Sequence, residues 1–297
     1  MATEETVIDR VLKKIPLKRF SDPAPVVPIV RLSGVIGAMG PFSRGLSLAN
    51  VAPLLKRAFS TKNAKCVVLL INSPGGSPVQ SDLIAKRIRQ LSEEKELPVI
   101  AFCEDVAASG GYWLAMAADE VFAAKSSIVG SIGVISSGFG FEGLIEKLGI
   151  ERRVHTAGDR KHILDPFKPE RPADLKHLKS IQAAIHDDFK DWVRSRRGDR
   201  LVAPEKEVFS GSFWVGVQAL EMGLIDGLGD VRGVMRDRFG DRVQLRPVQA
   251  KRSLFRSNPG GGVGHAGFAG AGLLPERWAD DLISAAEDRL TWNRFGL

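Results

Sequence analysis

Apolar residues in this 297-residue chain recur in two alternating modes. Continuous apolar runs of strand length, VVPIVRLSGVIG (26–37), CVVLLINS (66–73) and PVIAFC (98–103), read as buried strands. Between them, LSLANVAPLLKRAFS and PVQSDLIAKRIRQLSEEK repeat apolar positions at helical spacing, with charges on the far face. Runs that are apolar on both sides are what central parallel strands show, because helices cover both faces. EVFAAK reads as a further strand, and GSIGVISSGF and RRVHTAG as short strands around a helix in FEGLIEKLG. Residues 173–197 form a long amphipathic helix and VGVQALEMG a shorter one. This alternation predicts βαβ units and a mostly parallel sheet, an α/β fold.

The ends differ from this body. Residues 1–27 form a basic arm in which Val7, Val11, Leu12 and Ile15 lie among Arg10, Lys13, Lys14, Lys18 and Arg19. Such a segment packs on its own body or on a second subunit, or lies peripherally on a membrane surface. The α/β domain is expected at 28–250, a glycine-rich linker at 251–274 and a terminal amphipathic helix at 275–297. No stretch approaches the ~18 apolar residues of a membrane span, and the N-terminus lacks the apolar region of a secretory signal. A cytoplasmic location, at most peripheral on the inner membrane surface, is therefore expected.

Composition changes little in this picture. A hydrophobic content of 44% and a charged content of 26% supply an ordinary core. The net charge of +7 admits an anionic partner, but the basic residues are dispersed and no basic run carries interleaved aromatics, so no nucleic acid partner is expected. Cys66 and Cys103 sit inside apolar runs and read as buried thiols. There is no metal-ligand spacing, and no Gly-Lys-Ser/Thr ending of a phosphate loop, so no cofactor is expected.

Two glycine pairs carry the candidate chemistry. INSPGGS ends a buried strand at Gly75-Gly76, exposing backbone N–H groups where open α/β sheets bind ligands. Those amides could hold an oxyanion, or the turn could simply be tight. At the next strand end stands Ser109, followed by Gly110 and Gly111. Ser109 reads either as a helix cap or as a nucleophile, and the two turns together have the layout of an acyl-transfer site. The base is open: His162 with Asp165 would make a triad, and Lys161 would serve if desolvation kept it neutral.

Read in order, SPGG, ASGGYW, GSIGV, GDRKHILDPF and VFSGSFWVGVQALEMGLIDGLG resemble peptidase family S49, the signal peptide peptidase A type of Ser-Lys protease. The resemblance spans roughly residues 28–235. It implies a ClpP/crotonase-like fold of repeated β-β-α units with a mostly parallel sheet and peripheral helices. It implies Ser109 as nucleophile, Lys161 as general base and Ser131 as the residue that orients the lysine. Gly75, Gly76 and Gly110 would form the oxyanion hole. It further implies a homo-oligomeric ring in which serine and lysine meet across subunits, and apolar peptides as substrates. The chain departs from the pattern at Arg160, where tyrosine is common, at Ser212, where arginine is expected, and in lacking an N-terminal membrane anchor. Two other readings keep the fold: a crotonase-like enzyme acting on acyl-CoA thioesters, and a non-catalytic scaffold.

Overall fold

The computed structural model describes residues 23–37, 45–158, 160–249, 289 and 291–296. The basic arm as far as residue 22, the glycine-rich linker and most of the expected terminal helix lie outside the described residues. The chain runs β1 (Val26–Ser33), α1 (Leu48–Phe59), β2 (Val67–Ser73), α2 (Pro78–Lys95), β3 (Val99–Ala108) and α3 (Gly110–Ala115). It continues through β4 (Glu120–Ala123), β5 (Ile128–Gly130), α4 (Glu142–Lys147), α5 (Pro172–Arg197) and α6 (Glu205–Val208). Then follow β6 (Phe213–Val215), α7 (Gly216–Glu221), β7 (Gly227–Leu228), α8 (Val231–Phe239) and β8 (Gln244–Pro247).

The main sheet path is β6-β5-β3-β2-β1-β8, parallel throughout except where β6 meets β5. β3 forks: Ile100–Cys103 pair with β4, and Val106–Ala108 pair with β5. The α/β class and mostly parallel sheet expected from the sequence are therefore what the structure has. Between β2 and β3 the register shifts, with Ile71 opposite Cys103 but Ser73 opposite Ala107. The Asn72 side chain spans this bulge, accepting from the Val106 N–H at 3.2 Å and donating to Asp105 at 2.8 Å. An irregularity of this kind re-aims the end of a strand. Here it brings the end of β3 level with the glycine turn after β2.

One sheet face packs on α1, α2, α3 and α5 through the largest apolar cluster, which includes Leu55, Leu69, Ile88, Leu114 and Phe189. The other face carries Val27, Val68, Ile100 and Phe102 and is covered by α8 through Met235. Both cysteines are buried as expected. Desolvation pushes each thiol up to about 12, so neither carries thiolate chemistry near neutrality.

Behind α3 lies a buried polar clamp. The Tyr112 hydroxyl donates to the Leu224 carbonyl at 2.7 Å. Arg197, on the last turn of α5, donates to the Gly223 and Ile225 carbonyls and pairs with Asp226 at 2.9 Å. The clamp ties α3, α5 and the 223–226 loop into one unit.

Residues 132–171 behave differently. The strands expected in GSIGVISSGF beyond Gly130 and in RRVHTAG do not form, and α4 is the regular element of this lobe. Its bonds are mostly internal: Phe141 N–H to Pro166 O at 2.6 Å, Arg152 with Asp165, and a chain of ring contacts from Phe139 through Phe141 to Phe167. The β-branched and aromatic residues that suggest strands are instead largely exposed, with Phe139 at 76% and Ile135 at 68%.

Candidate active site

The site is built where β2 and β3 end. Ser77 accepts from the Gln80 N–H as the N-cap of α2, and Pro78 opens that helix, so β2 must turn within Pro74-Gly75-Gly76. Both glycines have positive φ, +110° at Gly75 and +140° at Gly76. At Gly75 a Cβ would lie 2.7 Å from the Ser109 Cβ and 2.9 Å from the Gly110 nitrogen. Only glycine lets the two turns come this close. Gly76 bridges to Ile36, which donates to the Gly75 carbonyl and accepts from the Ser77 N–H. Among the described residues the Gly76 N–H has no hydrogen-bond partner. The Gly75 N–H donates to Ser73 Oγ at 3.2 Å.

Ser109 has φ 52° and ψ −122°, the first central position of a type II′ turn and a strained region for a side-chain-bearing residue. Such a conformation costs about 1–3 kcal/mol and persists only where the surroundings enforce it. Its N–H is held by the Gly130 carbonyl at 2.8 Å and its carbonyl accepts from the Trp113 N–H at 3.0 Å. The hydroxyl makes no capping bond to α3, so Ser109 occupies the cap position without doing a cap's work. The half-buried side chain stands on a sharp strand-to-helix turn, beside the Gly75 α-carbon and the first turn of α3. The Gly110 α-carbon is also hemmed in: a Cβ there would meet Ser81 Oγ at 2.5 Å.

Ser131 follows β5 directly. It is buried, has φ 53°, and its N–H donates to the Ser212 carbonyl at 2.7 Å. The structure thus brings Ser109, Gly75, Gly76 and Gly110 together and places Ser131 one residue beyond the Gly130 that anchors Ser109. Lys161 it does not bring there. Lys161 is exposed on the lobe, in a turn closed by its N–H to the Gly158 carbonyl, and no hydrogen bond joins it to Ser109 among the described residues. His162 and Asp165 share the lobe. Asp165 is engaged by Arg152 and the Phe167 N–H, which leaves a triad with Ser109 without geometric support in a single copy.

Three contributors were not singled out from sequence: Ser73, which holds the Gly75 amide; Ile36, which bridges Gly76; and Gly130, whose carbonyl holds Ser109. Ser73 stands in the quoted SPGG motif, but nothing in the sequence distinguishes it from an ordinary strand-end serine. A groove of about 540 Å³ opens beside the site between α2 and α5, lined by Val79, Leu83, Trp113, Ile185 and Trp192 and rimmed by acidic residues including Asp188. Among the described residues no cluster suits a metal ion.

The comparisons with known proteins agree with the geometry. A family model described as peptidase family S49 matches residues 92–239, a span that includes Ser109, Ser131 and Lys161. A protease of Synechocystis sp. is 35% identical over 208 residues, covering 67% of this chain and 73% of that protein. The chloroplastic serine protease SPPA of Arabidopsis thaliana is 37% identical over 214 residues, 68% of this chain and 30% of that protein. A Brucella abortus protein named Na(+)/H(+) antiporter NhaA is 46% identical over 295 residues, 99% of this chain. The chain spans 40% of that relative's length. No helix among the described residues is long and apolar enough to cross a membrane. With a strained serine turn, apposed glycine amides and these matches, the chain belongs to peptidase family S49.

Proposed function

We propose that the protein is a Ser-Lys endopeptidase that cleaves apolar peptides through an acyl-enzyme, and that its dyad is completed between copies. The observation that carries this reading is the Ser109 turn: a strained serine whose hydroxyl is not spent on capping its helix. Neutral Lys161 takes the hydroxyl proton as Ser109 Oγ bonds to the peptide carbonyl carbon. The N–H groups of Gly76 and Gly110 hold the resulting oxyanion, with Gly75 giving the backbone room to approach. Each such donor is worth roughly 3 kcal/mol of transition-state stabilisation. Collapse breaks the C–N bond, the Lys161 ammonium returns its proton to the leaving amine, and water, deprotonated by Lys161, releases the acid. Ser131 orients the lysine amine.

Assembly would supply what one copy lacks. The lobe that carries Lys161 presents exposed apolar side chains, Phe139, Leu144, Leu148 and Ile150, with Lys147 and Arg160 among them. The groove near the start of α2 and α3 is lined by apolar side chains, complementary to that exposed apolar face. The lobe of one copy seated at the groove of the next is a head-to-tail contact, which closes into a ring when the rotation permits. Burial in that contact would also desolvate Lys161, the condition for a neutral lysine base.

The test is labelling of the assembled protein with a fluorophosphonate, together with cleavage of an apolar peptide. Wild type is expected to label at Ser109. Ser109→Ala and Lys161→Ala should each lose about 10⁴-fold or more in kcat. Assembled wild type that neither labels nor cleaves would overturn the reading.

A further inference from the structure

The sheet face covered by α8 continues past that helix to the end of β3, where its cover changes. There Val106 and Ala108 of β3, with Ile128 of β5, form a separate small apolar cluster. What covers it is the chain's own C-terminal turn. Residues 291–293 are helical and the turn is closed by Phe295 N–H to Trp292 O at 2.9 Å and Gly296 N–H to Asn293 O at 3.0 Å. Phe295 is 7% exposed and its ring meets Phe213 of β6 edge-on at 5.2 Å. Trp292 packs on the same cluster.

The position of this contact matters more than its size. Ala108 immediately precedes Ser109, and consecutive α-carbons are about 3.8 Å apart. The tail therefore packs an aromatic side chain into the cluster that holds the residue next to the nucleophile. The tail covers the face only in part, since Phe213, which Phe295 meets, and Val215 on edge strand β6 remain about two-fifths exposed. Two aromatic side chains on a short turn make a contact that an apolar peptide can replace in kind.

We propose that this face docks the apolar stretch of a polypeptide substrate beside Ser109, and that the turn Trp292–Phe295 is its resident competitor. The inference rests on the reading of Ser109 as the nucleophile. The tethered tail acts at an effective concentration that a free peptide must exceed, so a resting copy is held in check until an apolar substrate of sufficient affinity displaces Phe295. Tail and substrate exclude one another because both need the surface of Val106, Ala108 and Phe213.

The experiment is done in the Ser109→Ala background, so that binding is measured without cleavage. A labelled peptide of Leu, Ala and Phe is titrated against the full chain, against Phe295→Ala and against a chain ending at Asp288. Both changes should tighten peptide binding by about tenfold, the scale of one buried aromatic side chain. Phe295→Leu, which keeps an apolar anchor, should restore most of the competition. Synthetic RLTWNRFGL should displace the labelled peptide from the shortened chain. Unchanged or weaker binding in both altered chains, with no displacement by the synthetic tail, would overturn the inference and leave the turn as a cap on the sheet. Because cleavage is not the readout, a wild type that fails to label would sink the protease reading alone. A wild type that labels while the tail has no effect would sink this one alone.

Discussion

The corner that holds Ser109 and the lobe that holds Lys161 are built on opposite terms. At the corner the groups around the serine are tied down: the Ser109 backbone to Gly130 and Trp113, the Gly75 backbone to Ser73 and Ile36, and the Tyr112 and Arg197 side chains to the 223–226 loop. Backbone strain survives at Ser109 because its bonds to Gly130 and Trp113 and the close approach of Gly75 leave it no relaxed alternative. The lobe has short-range bonds, one short helix, and apolar side chains facing outward. The difference teaches that one copy holds the serine half of the proposed site rigidly by itself, whereas the lysine half is proposed to be finished by contact.

Folding stability offers the sharpest ways to break this comparison. Arg197→Met should have the largest effect, because it removes a buried guanidinium, leaves the half-buried Asp226 carboxylate to Arg200 and the Val121 N–H, and frees the Gly223 and Ile225 carbonyls. A loss of about 3–5 kcal/mol is expected from urea unfolding. A loss under 1 kcal/mol would mean that the clamp does not stiffen the corner. Gly75→Ala comes next: strained φ and a 2.7 Å approach to the Ser109 Cβ should cost roughly 1–3 kcal/mol. The same change should lower kcat by about 10²-fold, since shifting the nucleophile by ~1 Å is enough for that.

A smaller effect depends on pH. Burial alone would raise the Asp226 pKa, but hydrogen bonds from Arg197 and the Val121 N–H, with the charges of Arg197 and Arg200, hold it below its ordinary 3.8. A carboxylate with a depressed folded-state pKa adds stability above the unfolded value and loses it as pH falls through the folded one. The stability gap between wild type and Asp226→Asn should therefore be full at neutral pH and shrink below about pH 4. A gap that stays constant down to about pH 2 would contradict the assignment. The smallest effect belongs to the lobe. Phe139→Ser should change unfolding free energy by no more than about 0.5 kcal/mol, as for an exposed position. It should nevertheless dissociate the assembly in analytical ultracentrifugation and lower peptidase activity with it. An unchanged sedimentation profile would remove the lobe from the interface.

How far the sequence was legible follows the same division. The buried runs CVVLLINS and PVIAFC and the helix spacing of PVQSDLIAKRIRQLSEEK were readable because each buries its apolar residues inside its own chain. Both glycine turns were readable for the related reason that a strand followed at once by a helix leaves few residues for the turn. That Ser109 is no side-chain cap was not readable, because φ and the hydroxyl's direction depend on Gly75 and Gly130, both remote in sequence. In the lobe the helix in FEGLIEKLG was readable, but the two flanking strands do not form, because Val134, Ile135 and Val154 have the same hydrophobicity whether they face their own core or solvent. β6 was missed because Phe213–Val215 is three residues long and draws its pairing from β5. The register shift that levels β3 with the glycine turn has no sequence signature beyond Asn72.

The central claim, that Ser109 and Lys161 of different copies form one active site, is tested most directly by mixing two inactive proteins. Ser109→Ala and Lys161→Ala are unfolded together, refolded together and assayed on an apolar peptide. In randomly mixed rings about a quarter of the sites pair an intact Ser109 with an intact Lys161 from its neighbour, so about a quarter of wild-type activity should return. Co-assembled rings that stay as inactive as either parent would contradict the account and return Lys161 to the copy that carries Ser109.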